Sequence, residues 1–199
     1  RQLTQDPPDE VARLMSYGLD PTRNELGPWR GHTDDFHPCY LPDGGIIFAS
    51  SRCERGVLCD EADNLSVNVL YRIDRDGGNL TLLSGNALSE STPSLMNDGR
   101  VLYTRWEYVY KGVIAVQGLW AMRPDGSGTT EVYGNEHVYP PVLIHARAVP
   151  GRNDLFVATC TMHHPFAVGP ILLIDTRRDI RTHAPLTNLT PDTDVTYEG

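Results

Sequence analysis

Nowhere in its 199 residues does this chain approach the roughly 18 consecutive apolar residues that a membrane-spanning helix needs. Cations are scarce: 17 Lys and Arg stand against 26 Asp and Glu, giving a formal charge of −9, and no basic cluster is written anywhere. A surface that tracks nucleic-acid phosphates needs clustered cations to displace counterions, so that class of partner is excluded. There is no Gly-x-Ser-x-Gly elbow, no glycine-rich phosphate loop and no His-Glu-x-x-His. Those absences remove the common signatures of serine hydrolases, nucleotide binders and zinc proteases, and argue against independent catalysis. The chain opens with Arg1 instead of Met and a signal pattern, from which it is expected to begin within a larger protein or after processing.

Turn residues are plentiful. The chain has 18 Gly and 15 Pro, spread along its length and not gathered into a linker. Regular punctuation of this kind reads as many short strands joined by tight turns.

A two-part pattern is written several times. Its first part is "HPCYLPDGGIIFASSR" at 37–52 and "TPSLMNDGRVLYTRWE" at 92–107, in which Pro38 matches Pro93 and Asp43-Gly44 matches Asp98-Gly99, with a degraded copy, "ARAVPGRNDLFVATCTMHH", at 146–164. Its second part is "VLYRIDRDGGNLTLLSGN" at 69–86 and "GLWAMRPDGSGTTEVYGN" at 118–135, with a weaker copy at 171–190. Asp-Gly between strands makes a hairpin, because Gly tolerates positive φ and the Asp side chain caps the turn. Each unit is therefore four short strands in about 50 residues, the length and strand count of a β-propeller blade.

The predicted fold class is all-β: four-stranded antiparallel blades, about three of them plus one strand, forming part of a larger propeller. The expected layout is an outer strand of a preceding blade at 1–4, an insertion with a short helix at 5–35, blades at 36–84, 85–134 and 135–190, and a linker to the next blade at 191–199. The same hairpins also fit a β-sandwich, but the near-constant period favours blades.

The paired motifs Pro-x-x-x-Pro-Asp-Gly-x-Ile-x-Phe-x-Ser-x-Arg and Leu-Tyr-x-Ile-Asp-x-Asp-Gly-x-Asn-Leu resemble the TolB-like propeller repeat of periplasmic and secreted bacterial proteins. More closely, "RCERGVLC" at 52–59, "YTRWEYV" at 103–109 and "HHPFAVGPILLID" at 163–175 are similar to the propeller region of the hydrazine synthase alpha subunit and its relatives. The resemblance implies an exported bacterial protein whose other domains or subunits carry haem c and a metal ion, and a propeller that holds them together. If the parent is a hydrazine synthase, it implies condensation of nitric oxide and ammonium, with electrons, to hydrazine at haem centres outside this segment. The chain has no Cys-x-x-Cys-His, so covalent haem attachment is not expected within it.

Because the Asp-Gly turns share one rim of such a propeller, the longer connections emerge on the other, and the unusual residues gather there. Cys53 and Cys59 bracket a short loop and, in a secreted context, fit a local disulfide; a metal site there would want further His or Cys. Cys39 and Cys160 are read as buried free thiols. His163 and His164, with His37, His137 and His145 and the carboxylates Asp34, Asp35 or Glu90, are candidates to face a metal or haem, or else to hydrogen-bond loop backbone. Arg105, Trp106 and Glu107 form a candidate ligand-facing loop: an Arg fork, a flat indole and a carboxylate. Arg105 and Glu107 equally suit a simple ion pair.

Overall fold

A computed structural model describes residues 33–53, 55–57, 66–107, 116–163 and 168–193. The predicted strand at 1–4, nearly all of the insertion at 5–35 and most of the linker at 191–199 lie outside these. Among the described residues the structure is all-β, with twelve strands and no helix.

The first sheet runs β1 (Asp35–Tyr40), β2 (Ile46–Ser50), β3 (Val69–Ile73) and β4 (Thr81–Leu82), each antiparallel to the one before. The second set, β5 (Glu90–Leu95), β6 (Val101–Trp106), β7 (Gln117–Met122) and β8 (Thr130–Tyr133), repeats that order. So does the third, β9 (Val142–Ala148), β10 (Leu155–Thr161), β11 (Ile171–Asp175) and β12 (Leu186–Asn188). A parallel bridge between Gln117 and Val142 joins the second and third sets into one sheet.

The turns form where the sequence predicts them, and for the expected reason. Asp43, Asp76, Asp98 and Asp125 each accept the backbone N–H two residues on, from Gly45, Gly78, Arg100 and Ser127, at 2.9–3.1 Å. The glycines that follow these aspartates all take φ near +85°, a region a side chain resists.

Packing between the units runs through their first strands. β5 lies against β1 and β2, and β9 lies against β5 and β6. Two apolar layers fill the seams. Ile47, Ala49 and Leu70 of the first unit meet Val101, Tyr103 and Met122 of the second. Leu102, Leu119 and Ala121 of the second meet Leu143, Phe156, Ala158 and Ile174 of the third. Strand alternation produces this: the middle unit turns one apolar face toward the first unit and the other toward the third. Among the described residues the three units do not close into a ring.

Each first strand carries a bulge at the same place. The register slips between Phe36 and Cys39, between Ser91 and Ser94, and in β9 opposite Val157 and Thr159. The residue inside each bulge, His37, Thr92 or His145, is left-handed, with φ of 54°, 49° and 53°.

Candidate functional site

The ends of β6, β7 and β10 converge on the rim opposite the Asp-Gly turns. Trp106 closes β6 and stands opposite Gln117, which opens β7. The Gln117–Val142 bridge draws the third unit alongside, and Val142 pairs with Thr161 at the end of β10, so His163 lands beside both. Its Nδ1 is 3.2 Å from Gln117 Nε2, and its ring lies 5.1 Å from the Trp106 ring. Trp106 is only 6% exposed, and beneath it lie Leu88, Val57 and Val67. The indole therefore forms a fixed floor and the half-buried imidazole an edge.

Arg105 points to the other face of β6, as strand alternation requires. Its Nη2 donates to Glu107 Oε1 at 2.9 Å and its guanidinium lies 4.7 Å over the Trp120 ring. The three candidates at 105–107 thus divide. Arg105 and Glu107 make the ion pair that the sequence allowed, while Trp106 joins His163.

Glu90, in register with Arg105, is fully buried. Ser84 Oγ donates to its Oε1 at 2.7 Å, the Leu70 N–H donates to Oε2 at 3.4 Å, and Arg105 Nη1 is 4.0 Å away. Burial pushes this carboxyl up to about 7, against the opposing pull of Ser84, Arg105 and the Leu70 amide. Glu90 ties the first unit to the second underneath the rim.

The other predicted site residues lie apart from this cluster. His37 and His145 meet edge to face at 5.8 Å, on β1 and β9. Burial lowers both imidazoles below their ordinary value, with Arg147 adding to it. His137 Nε2 is 2.9 Å from the Ile180 carbonyl, and its ring lies beside Tyr133 and His183. Asp35 is taken by Arg52 at 2.6 Å, in a pair 6% exposed on each side, and the Arg52 guanidinium lies over Phe48 and Tyr71. The Asp34 N–H donates to Ser51 Oγ. Among the described residues no group of three or more His, Cys, Asp and Glu is placed to hold a metal ion.

His164 and Cys59 lie outside the described residues. Cys53 is a thiol whose Sγ donates to the Val67 carbonyl at 3.2 Å. Cys160 is buried and pushed up to about 12 by that burial, while Cys39 is a half-buried free thiol. Gln117 was not singled out in the sequence. The signal available was its place at the start of a strand facing Trp106, which needs the hairpin register to be seen.

Three four-stranded antiparallel units converging through their first strands define a propeller-type repeat protein. No protein-family model matches the chain, and no curated protein matches its sequence. Solved structures do match. A putative TolB from Agrobacterium tumefaciens superposes with a TM-score of 0.53 at 16% identity, over 78% of this chain and 49% of that one. TolB from Acinetobacter baumannii gives 0.50 at 10% identity, over 81% and 33%. The hydrazine synthase of Kuenenia stuttgartiensis gives 0.55 at 21% identity, over 73% and 22%. The chain therefore has a TolB-like propeller-type fold related to that of hydrazine synthase, and it matches about half or less of the length of each of these proteins.

Proposed function

We propose that this chain is a propeller scaffold within an exported bacterial protein of the hydrazine synthase alpha type, shaping or docking a haem-containing redox assembly without performing chemistry itself. The observation that carries the reading is the rim where Trp106, Gln117 and His163 are held together from two units, on the side opposite the Asp-Gly turns. A half-buried imidazole held in place by a buried indole floor and an amide suits recognition of a partner loop. The Arg105–Glu107 pair and buried Glu90 fix the strand that carries the indole. Haem c and a metal ion belong, in this reading, to other domains or subunits. No helix among the described residues is long and apolar enough to cross a membrane, and a periplasmic or secreted site is part of the proposal.

The test is an intact mass and an ultraviolet-visible spectrum on the native protein that contains this sequence. A mass well above 22.1 kDa with a Soret band supports the reading. A colourless protein sinks it. The likeness to two TolB structures favours the second reading, a periplasmic protein- or peptide-binding module with no redox role, and a colourless protein that co-purifies with a partner supports that one.

A further inference from the structure

Two imidazoles from different units meet away from the Trp106 rim. His137 lies in the connection from β8 to β9 and His183 in the connection from β11 to β12, with ring centroids 5.2 Å apart and planes inclined at 52°. The His137 Nε2–H donates to the Ile180 carbonyl at 2.9 Å, so in the neutral ring the lone pair stands on Nδ1. A carbonyl on the far nitrogen is the arrangement that orients a metal-ligating histidine and raises its basicity. Neither His137 Nδ1 nor either ring nitrogen of His183 has a hydrogen-bond partner among the described residues.

Both rings are braced. Buried Tyr133 lies 5.3 Å from His137, and Tyr139 meets His183 edge-on at 6.1 Å. The Tyr133 hydroxyl donates to the Thr182 carbonyl at 3.0 Å, which ties the loop carrying His183 to the strand that precedes His137. Two rings already held in place lose little freedom when they share a ligand.

Their spacing fits a shared ion. Two imidazoles on one tetrahedral centre, with metal–nitrogen bonds of about 2.0–2.1 Å, have ring centroids roughly 5 Å apart. His137 is half-buried and His183 exposed, so an ion reaches both from solvent. A donor set of nitrogens without carboxylates selects zinc, copper(II) or nickel over magnesium and calcium, which take oxygen.

We infer that His137 and His183 form a two-imidazole site for a borderline divalent metal ion of the zinc type, bridging the second and third units. Two protein ligands are fewer than the three of a catalytic centre or the four of a structural one, so the ion keeps its remaining positions for water and exchanges with solvent. The inference does not rest on the proposed scaffold role or on any haem partner.

The probe is Zn²⁺ alone, titrated into the full chain against a chromophoric chelator. Accessible thiols are first blocked with iodoacetamide, because cysteine competes for the same ion. A single bound ion is expected. His137→Ala and His183→Ala are each expected to lower its affinity at least about tenfold, and the double variant by no more than either alone, since one imidazole no longer chelates. His145→Ala, at another exposed histidine, is expected to change it less than about twofold. Saturating Zn²⁺ is expected to slow amide exchange over 176–185 in the wild type and not in His183→Ala. His183 is exposed, so its replacement leaves the fold intact and decides the matter where His137→Ala fails to fold. Absence of saturable binding overturns the inference. So does binding that His183→Ala leaves unchanged, or that His145→Ala weakens equally, either of which identifies an adventitious ion only.

Discussion

Replacing Glu90 by Gln removes an ionisable group from full burial while keeping its size: the amide oxygen accepts from the Leu70 N–H, and the amide nitrogen donates to the Ser84 hydroxyl, which turns from donor to acceptor. The carboxyl has an ordinary value of 4.5 and is raised to about 7 in the folded chain. Between those two values the folded state holds a proton that the unfolded state has released, so stability falls as pH rises through the window. Below 4.5 the contribution is fully present, and above about 7 it is gone. At about 1.36 kcal/mol per pH unit, the wild-type chain loses roughly 3 kcal/mol to this one group across the window. His37 and His145 act in the opposite direction. Their folded values lie below 6.5, so their contribution is lost as pH falls through that region. The difference between wild type and Glu90→Gln cancels them and isolates the carboxylate. Urea unfolding monitored by tryptophan fluorescence at pH 5, 6, 7 and 8 is the assay. The two proteins are expected to be nearly equal at pH 5, with the variant ahead by roughly 2–3 kcal/mol at pH 8. A difference that stays constant with pH, or one that favours wild type at pH 8, would refute the reasoning, because the buried carboxyl would then ionise at no cost.

Other outcomes follow from the same geometry. Trp106→Ala, which empties the floor under His163, is expected to cost roughly 3–5 kcal/mol in urea unfolding, with Trp106→Phe recovering more than half. Gly126 and Gly99 share φ near +85°, but a Cβ at Gly126 would meet the Leu83 carbonyl oxygen at 2.6 Å while one at Gly99 meets nothing within 4 Å. Gly126→Ala is therefore expected to lower stability by roughly 2–4 kcal/mol and Gly99→Ala by about 1–2, measured in parallel melts. Because Cys53 stands as a thiol donating to the Val67 carbonyl, alkylation in denaturant without reductant is expected to modify it; an unmodified Cys53 by peptide mass would restore the Cys53–Cys59 clasp expected from the sequence.

The strands and hairpins were legible because their causes are local. An Asp two residues before an N–H and a Gly free to take positive φ sit next to each other in the sequence, and Asp43, Asp76, Asp98 and Asp125 act on their own turns. The grouping of the histidines was not legible, because it depends on how units pack. His163 reaches Trp106 only through the Gln117–Val142 bridge, and His137 reaches the Ile180 carbonyl only because the connection after β11 passes close to it. The same holds for Glu90. Nothing in "SESTPS" announces a buried carboxylate, since the burial comes from the first unit lying over it through the Leu70 amide. The bulges were hidden for a third reason. Their spacing is regular, but the residues inside them, His37, Thr92 and His145, are not the glycine or asparagine that would signal a left-handed backbone.

The seams between the units also set the order in which the molecule comes apart. Each unit is stabilised by its neighbours more than by itself, so the array behaves as a row of nearest-neighbour couplings and not as one indivisible core. The middle unit is clasped on both sides, by Leu70 and Ile47 from one direction and by Phe156 and Ile174 from the other. The first and third are each clasped by a described neighbour on one side only. Among the described units fraying therefore begins at the two outer ones and moves inward, and the amides of β6 are the last to find water.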